Sequence, residues 1–180
     1  MDPRRIKPGD IIDGFRVEEA LPPGGMSNFW RVTREDIDFP ILMKVPKLEA
    51  SEASTTIVGY ETESMILPRL EGPHVPHFVA TGDFERPYIV MEQVQGISLK
   101  NYLEKLPLDP KDVATIGSHI AFALHDLHRQ HVLHLDLKPS NVIERADGTA
   151  VLIDFGLSHH LQLPDLIREE IEGPIGTAPY

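Results

Sequence analysis

An asymmetry along the chain constrains its fold more than any single residue does. Up to residue 94 the apolar residues come in short runs of strand-like content, at 11–21, 28–33, 39–45, 77–83 and 87–94. One segment in that half departs from the pattern. Residues 54–70 read as a helix with Ile57, Tyr60, Leu67 and Leu70 on or near one face, and Pro68 stands where it should kink or end that helix. From Asp109-Pro110 the period changes. This pair makes a helix start, an N-cap followed by proline at the first helical position. Val113, Ile116, Ile120, Leu124 and Leu127 then recur at helical spacing through Arg129. Apolar runs at 142–144 and 150–153 flank the hairpin-like turn Ala146-Asp147-Gly148-Thr149, and 157–180 is polar with scattered apolar residues. The order is therefore strand–strand–strand–helix–strand–strand, then a helix and a strand pair, with a boundary near Gln95-Gly96.

Composition removes several function classes. The chain has 180 residues, 41% of them apolar and 25% charged, which is ample for a core and argues against wholesale disorder. Seventeen basic against twenty-eight acidic residues leave a net charge of −11, the wrong sign for a nucleic-acid binder that must displace counterions. With no cysteine there is no disulfide, thiolate metal site or thiol nucleophile. The start, Met1-Asp2-Pro3-Arg4-Arg5, leads into no apolar signal region, and no apolar run reaches the roughly 18–20 residues of a membrane span. A cytoplasmic protein is the expectation.

The chemistry concentrates in His134-Leu135-Asp136-Leu137-Lys138-Pro139-Ser140-Asn141, followed thirteen residues later by Asp154-Phe155-Gly156. Asp136, Lys138 and Asn141 put a base, a cation and a metal-ligating amide on one short loop. Asp154 adds a carboxylate suited to a hard cation such as Mg²⁺. In-line phosphoryl transfer needs this set: a group to orient a hydroxyl, a cation to offset the moving charge, and ligands for the metal. Either segment alone reads as an ordinary polar turn; the two in this order and spacing do not. His125, His128, His131 and His134 recur every third residue, but no carboxylate spacing completes a zinc site with them. His159-His160 reads as part of an exposed loop.

These motifs resemble those of the eukaryotic-like (bacterial Hanks-type) Ser/Thr protein kinases, over residues 11 to 180. The resemblance implies an α+β, two-lobe fold: a β-rich N-lobe with one main helix, then the first part of a helical C-lobe. It implies an extension at 1–10, the N-lobe at 11–95, and a partial C-lobe at 96–180 that stops before the family's Ala-Pro-Glu. By the same resemblance Lys44, in Ile41-Leu42-Met43-Lys44, pairs the α/β-phosphates of ATP. Glu63, with Ile66 and Leu67 after it, fits the family's helix glutamate that partners this lysine, and Glu61 is the alternative. Backbone groups of Glu92 and Val94 would meet the adenine edge, with Met91 as gatekeeper. Gly24, Gly25 and Ser27 would cover the phosphates, Asn141 and Asp154 would hold Mg²⁺, and Asp136 with Lys138 would act on the hydroxyl. Gly176-Thr177-Ala178-Pro179-Tyr180 resembles the segment before Ala-Pro-Glu, where Thr177 would contact the catalytic loop. The implied function is transfer of the γ-phosphate of ATP to a Ser/Thr hydroxyl of a protein substrate. The rivals are a pseudokinase, serving as a nucleotide-binding scaffold, and a small-molecule phosphotransferase.

Two departures carry expectations. The family's Gly-x-Gly-x-x-Gly-x-Val reads Pro22, Gly24, Ser27 and Phe29 here, so only the middle glycine remains, helped by Gly25, and a stiffer lid is expected. Leu135 replaces the arginine that receives an activating phosphate. Ser158 is the only hydroxyl between Phe155 and Gly176, a stretch already acidic with Asp165, Glu169, Glu170 and Glu172. Activation independent of loop phosphorylation follows. Because the family covers the 110–129 helix with later helices, an exposed apolar stripe, a tendency to associate and further domains beyond Tyr180 are also expected.

Overall fold

Asp13 and Gly14 both take positive φ, at 49° and 85°, which is the geometry of a tight two-residue hairpin. The apolar run 11–21, read as one strand, is thereby folded into two: β1 (Ile11–Ile12) and β2 (Phe15–Leu21), antiparallel with Ile12 opposite Phe15. The computed structural model describes residues 6–48, 53–171 and 177. The chain divides into two compact units, Met1–Tyr60 with His77–Gln93, and Glu61–Pro76 with Val94–Tyr180.

The first unit is an antiparallel sheet. β2 continues into β3 (Ser27–Thr33) and β4 (Ile41–Pro46), and then into β6 (Ile89–Glu92) and β5 (Phe78–Thr81), in the order β1-β2-β3-β4-β6-β5. Alternation along these strands sends Phe15, Val17, Val32, Ile41, Met43, Val45 and Val90 to one buried cluster. Register shifts at Val17/Glu19 and Phe78/Ala80 mark irregularities that bend the sheet. Tyr88 joins the core but keeps its hydroxyl bonded to Asp13 Oδ2 at 2.7 Å; burial, then that bond, raise the phenol's pKa above its ordinary value.

The second unit is built on α2 (Pro110–Arg129). Asp109 caps it as the sequence predicts, accepting from the Lys111 N–H at 2.8 Å. Its apolar stripe is only partly covered: Leu127 is buried, Ile116, Ile120 and Leu124 are half-buried, and Val113 is 54% exposed. Ala123, absent from the predicted stripe, is fully buried. β7 (Ile97–Ser98), β9 (Val142–Glu144) and β10 (Ala150–Leu152) form a small sheet, and Gly148 closes the β9–β10 turn at φ 85°. The segment before β5 is tied to this unit by Gln130, whose amide both donates to Glu71 O and accepts from Glu71 N–H. A second strand pair, β8 (Val132–Leu133) with β11 (His159–His160), makes the dipeptide His159-His160 a half-buried strand rather than exposed loop. α3 (Leu166–Glu170) follows, capped by Asp165.

Helix α1 (Ala53–Ile66) ends in a 3-10 turn, Leu67–Arg69, that contains Pro68, as expected. Its buried residues include Thr56, Val58, Thr62, Glu63 and Ile66, whereas Ile57 and Tyr60 are only half-buried. Leu67 and Leu70, the other two residues of the expected face, are buried, and polar Thr56, Thr62 and Glu63 share the buried side of α1 with Val58 and Ile66 in place of Ile57 and Tyr60. Among the described residues, no helix is long and apolar enough to cross a membrane.

Candidate active site

In the second unit the loop 131–141 is shaped by left-handed residues at His131 (φ 63°) and Leu135 (φ 59°), a conformation costly for residues with a Cβ. Several bonds hold it there. The β8–β11 pairing, Leu161 N–H to His131 O at 2.8 Å and Ile153 N–H to Asn141 O at 3.0 Å bind it to the segment around Asp154-Phe155-Gly156. Ser158 adds its hydroxyl, donated to His134 O at 3.1 Å from a fully buried position.

His134 is the strut of this arrangement, a role the sequence reading did not assign. Its ring is buried beside Phe155, with centroids 5.3 Å apart. Nδ1 accepts the Asp136 N–H at 3.4 Å, so Nε2 carries the proton that meets Ile153 O at 3.0 Å. Burial lowers the pKa of the imidazole and keeps it neutral, the form this double bonding requires. One ring therefore fixes the backbone of Asp136 relative to the residue before Asp154.

Asp136, Lys138, Asn141 and Thr177 converge on one carboxylate. Asp136 is buried, and its Oδ1 accepts the Thr177 hydroxyl at 2.7 Å. Lys138 Nζ donates to Asp136 Oδ2 and to Thr177 Oγ1, both at 2.7 Å. Asn141 Nδ2 donates to Asp136 O at 3.0 Å and Oδ2 at 3.2 Å. These bonds offset the cost of burying the charge. They also show that the carboxylate accepts an alcohol while a cation stands beside it. Gly176, Ala178, Pro179 and Tyr180 lie outside the described residues.

The oxygen donors suit a hard divalent cation. Asn141 engages its amide nitrogen with Asp136, its Oδ1 accepts the Ser140 hydroxyl at 3.5 Å and is the atom that could turn to a metal, and Asp154 is exposed, at a φ of 67°. Glu63 lies elsewhere in the same unit's packing: it is 1% exposed and its Oε1 accepts the Phe155 N–H at 3.3 Å, while Glu61 is half-buried. Val94 also belongs to this unit and is half-buried.

The remaining expected residues sit in the first unit. Gly24 N–H donates to Ser27 O at 3.0 Å, closing a turn at the tip between β2 and β3. A Cβ on Gly24 would come 3.0 Å from Phe29 Cε2, and one on Gly25 would meet nothing within 4 Å. Backbone can thus be approached closely at Gly25. Lys44 stands on β4, its Cα opposite Phe29 and Ile89, and is half-buried. At the end of β6, Glu92 N–H donates to His77 O at 2.8 Å and its Oε2 accepts the His77 N–H at 3.2 Å; Met91 before it is buried.

Comparison with known proteins agrees with this architecture. The family model for the protein kinase domain matches residues 15–180. A probable serine/threonine-protein kinase PknB of Lactococcus lactis is 30% identical over 169 residues, which are 91% of this chain and 27% of that protein. The serine/threonine-protein kinase PrkC of Bacillus subtilis is 27% identical over 153 residues, 83% of this chain and 24% of PrkC. Among solved structures, the PknI kinase domain of Mycobacterium tuberculosis superposes with a TM-score of 0.68 at 25% identity, covering 84% of this chain and 63% of that one. The chain thus spans about a quarter of the length of these two curated relatives.

Proposed function

This chain belongs to the protein kinase domain family, and on that premise we propose that it carries ATP-dependent transfer of the γ-phosphate to a serine or threonine hydroxyl of a protein. The observation that carries the proposal is the Asp136 carboxylate, which accepts a threonine hydroxyl at 2.7 Å with the Lys138 ammonium bridging both. A substrate hydroxyl needs the same reception: Asp136 accepts its proton's hydrogen bond and points the oxygen lone pair at the phosphorus. Lys138 offsets the negative charge of the moving phosphoryl group. Mg²⁺, when bound, neutralises the polyphosphate, and Asn141 Oδ1 with the Asp154 carboxylate would hold it. Lys44 serves the phosphates, Gly24, Gly25 and Ser27 lie over them, and backbone groups of Glu92 and Val94 take the adenine edge. Glu63 orders Phe155 through its N–H. In this reading 11–95 acts as the N-lobe and 96–180 as the start of the C-lobe, working in the cytoplasm where ATP is supplied.

The test is transfer from labelled ATP with Mg²⁺ to a basic protein, analysed for phosphoserine and phosphothreonine. Lys44→Met and Asp154→Asn are each expected to abolish transfer with folding intact, because Lys44 is only half-buried and Asp154 is exposed. Near wild-type turnover in either variant contradicts the assignment.

A further inference from the structure

We propose that Lys47 is a positioning residue for the phosphates of the nucleotide, acting through the backbone of the loop at Gly24–Ser27. The inference rests on the kinase reading and explains how this loop keeps its shape where Pro22 and Ser27 stand at two of the three glycine positions. Lys47 follows β4 directly. Its Nζ donates to Gly24 O at 2.7 Å and to Gly25 O at 3.3 Å. Its own N–H donates to Met26 O at 2.9 Å. Three consecutive carbonyls at the tip are thus bound by one residue, two of them by a cation, where hydrogen bonds are strongest.

A trans peptide holds its N–H opposite its C=O. Turning the Gly24 and Gly25 carbonyls to the ammonium therefore turns the N–H groups of Gly25 and Met26 away from it. Successive amides turned from a common cation are donors for an anion, the principle of a phosphate-binding nest. The turn bond from Gly24 N–H to Ser27 O and the Phe29 ring against Gly24 brace one side of the tip. At Gly25, where a Cβ would touch nothing, no side-chain packing replaces the lysine. Lys47 thus presets the donors, and its positive charge lies beneath the site that a polyphosphate would occupy.

The experiment compares wild type with Lys47→Met, which keeps the aliphatic stem and loses the donors, and Lys47→Arg, which keeps charge and donors. Three quantities are measured on the full-length protein: amide hydrogen exchange at residues 24–27 without nucleotide, the Kd for ATP with Mg²⁺, and kcat and KM for ATP. For Lys47→Met, loop exchange is expected to quicken, and Kd and KM to rise about tenfold with kcat changed less than about threefold, as loss of charge-assisted positioning implies. Melting temperature should not move, and Lys47→Arg should restore most of the affinity. If wild type binds ATP and Lys47→Met binds it equally well, the proposal fails and the kinase reading stands, whatever the exchange data show. An affinity loss that tracks a fall in melting temperature, or that Lys47→Arg does not rescue, also overturns it. Wild type that binds no ATP overturns the kinase reading and this proposal with it.

Discussion

Two buried side chains, His134 and Ser158, carry more of the local architecture than their size suggests. His134 must be neutral to accept from Asp136 and donate to Ile153 at once, and burial lowers its pKa from 6.5. A histidine lowered in the folded state is charged more readily in the unfolded one. Its contribution is therefore fully present above pH 6.5 and is lost as pH falls through the window between the unfolded and folded values. Thermal melting from pH 8 to about pH 5 is expected to show a decline starting near pH 6.5, and His134→Gln should flatten it. An unchanged slope in that variant contradicts the assignment. Ser158, 2% exposed, gives its hydroxyl to His134 O, so the one hydroxyl between Phe155 and Gly176 is structural. Phosphatase treatment is expected to leave activity within about threefold, while Ser158→Ala costs about 1 kcal/mol in unfolding experiments. A tenfold loss of activity on dephosphorylation, about 1.4 kcal/mol in barrier, contradicts activation without loop phosphorylation.

At the scale of elements, close approach matters as much as period. Gly96 leads into β7, and a Cβ there would lie 2.3 Å from Glu144 O and 2.8 Å from Ile143 Cγ2. Gly96→Ala must push β7 from β9 and is expected to destabilise by about 1–3 kcal/mol in denaturant titration, whereas Gly25→Ala meets nothing and should melt near wild type. Equal stabilities for the two would refute the packing argument. The same distinction explains what the sequence disclosed. α2 and the strands β3, β4, β9 and β10 were legible because their apolar periods and turn residues are local signals. β7, β8 and β11 are two residues long, too short for any period, and exist only through their partners. The turn at Asp13-Gly14 lay hidden inside an apolar run, and the buried face of α1 was masked by Thr56, Thr62 and Glu63. Asp136, Lys138 and Asn141 could be found because they lie within six residues of one another. The struts from His134 to Ile153 and from Lys47 to Gly24 join residues 19 and 23 apart, and no pattern in composition signals them.

For the molecule as a whole, a net charge of −11 opposes the approach of a polyphosphate, so under the proposed function nucleotide binding would depend on a few placed cations and a metal. The proposed function assigns these roles to Lys44 and Lys47 in the first unit and to Lys138 in the second, with oxygen donors at Asn141 and Asp154. On that proposal binding and transfer would be separable properties, the cations serving the nucleotide and Asp136 the hydroxyl. The most direct measurement is to compare wild type and Asp136→Asn side by side for ATP·Mg²⁺ affinity and for phosphate transfer to protein serine or threonine. The expected result is unchanged affinity, within about threefold, with transfer reduced at least about a hundredfold, the lower end of what a positioned acid–base group contributes. Transfer by Asp136→Asn at the wild-type rate, or wild type that binds ATP and transfers nothing, would contradict the assignment of this chain as a protein kinase acting through Asp136.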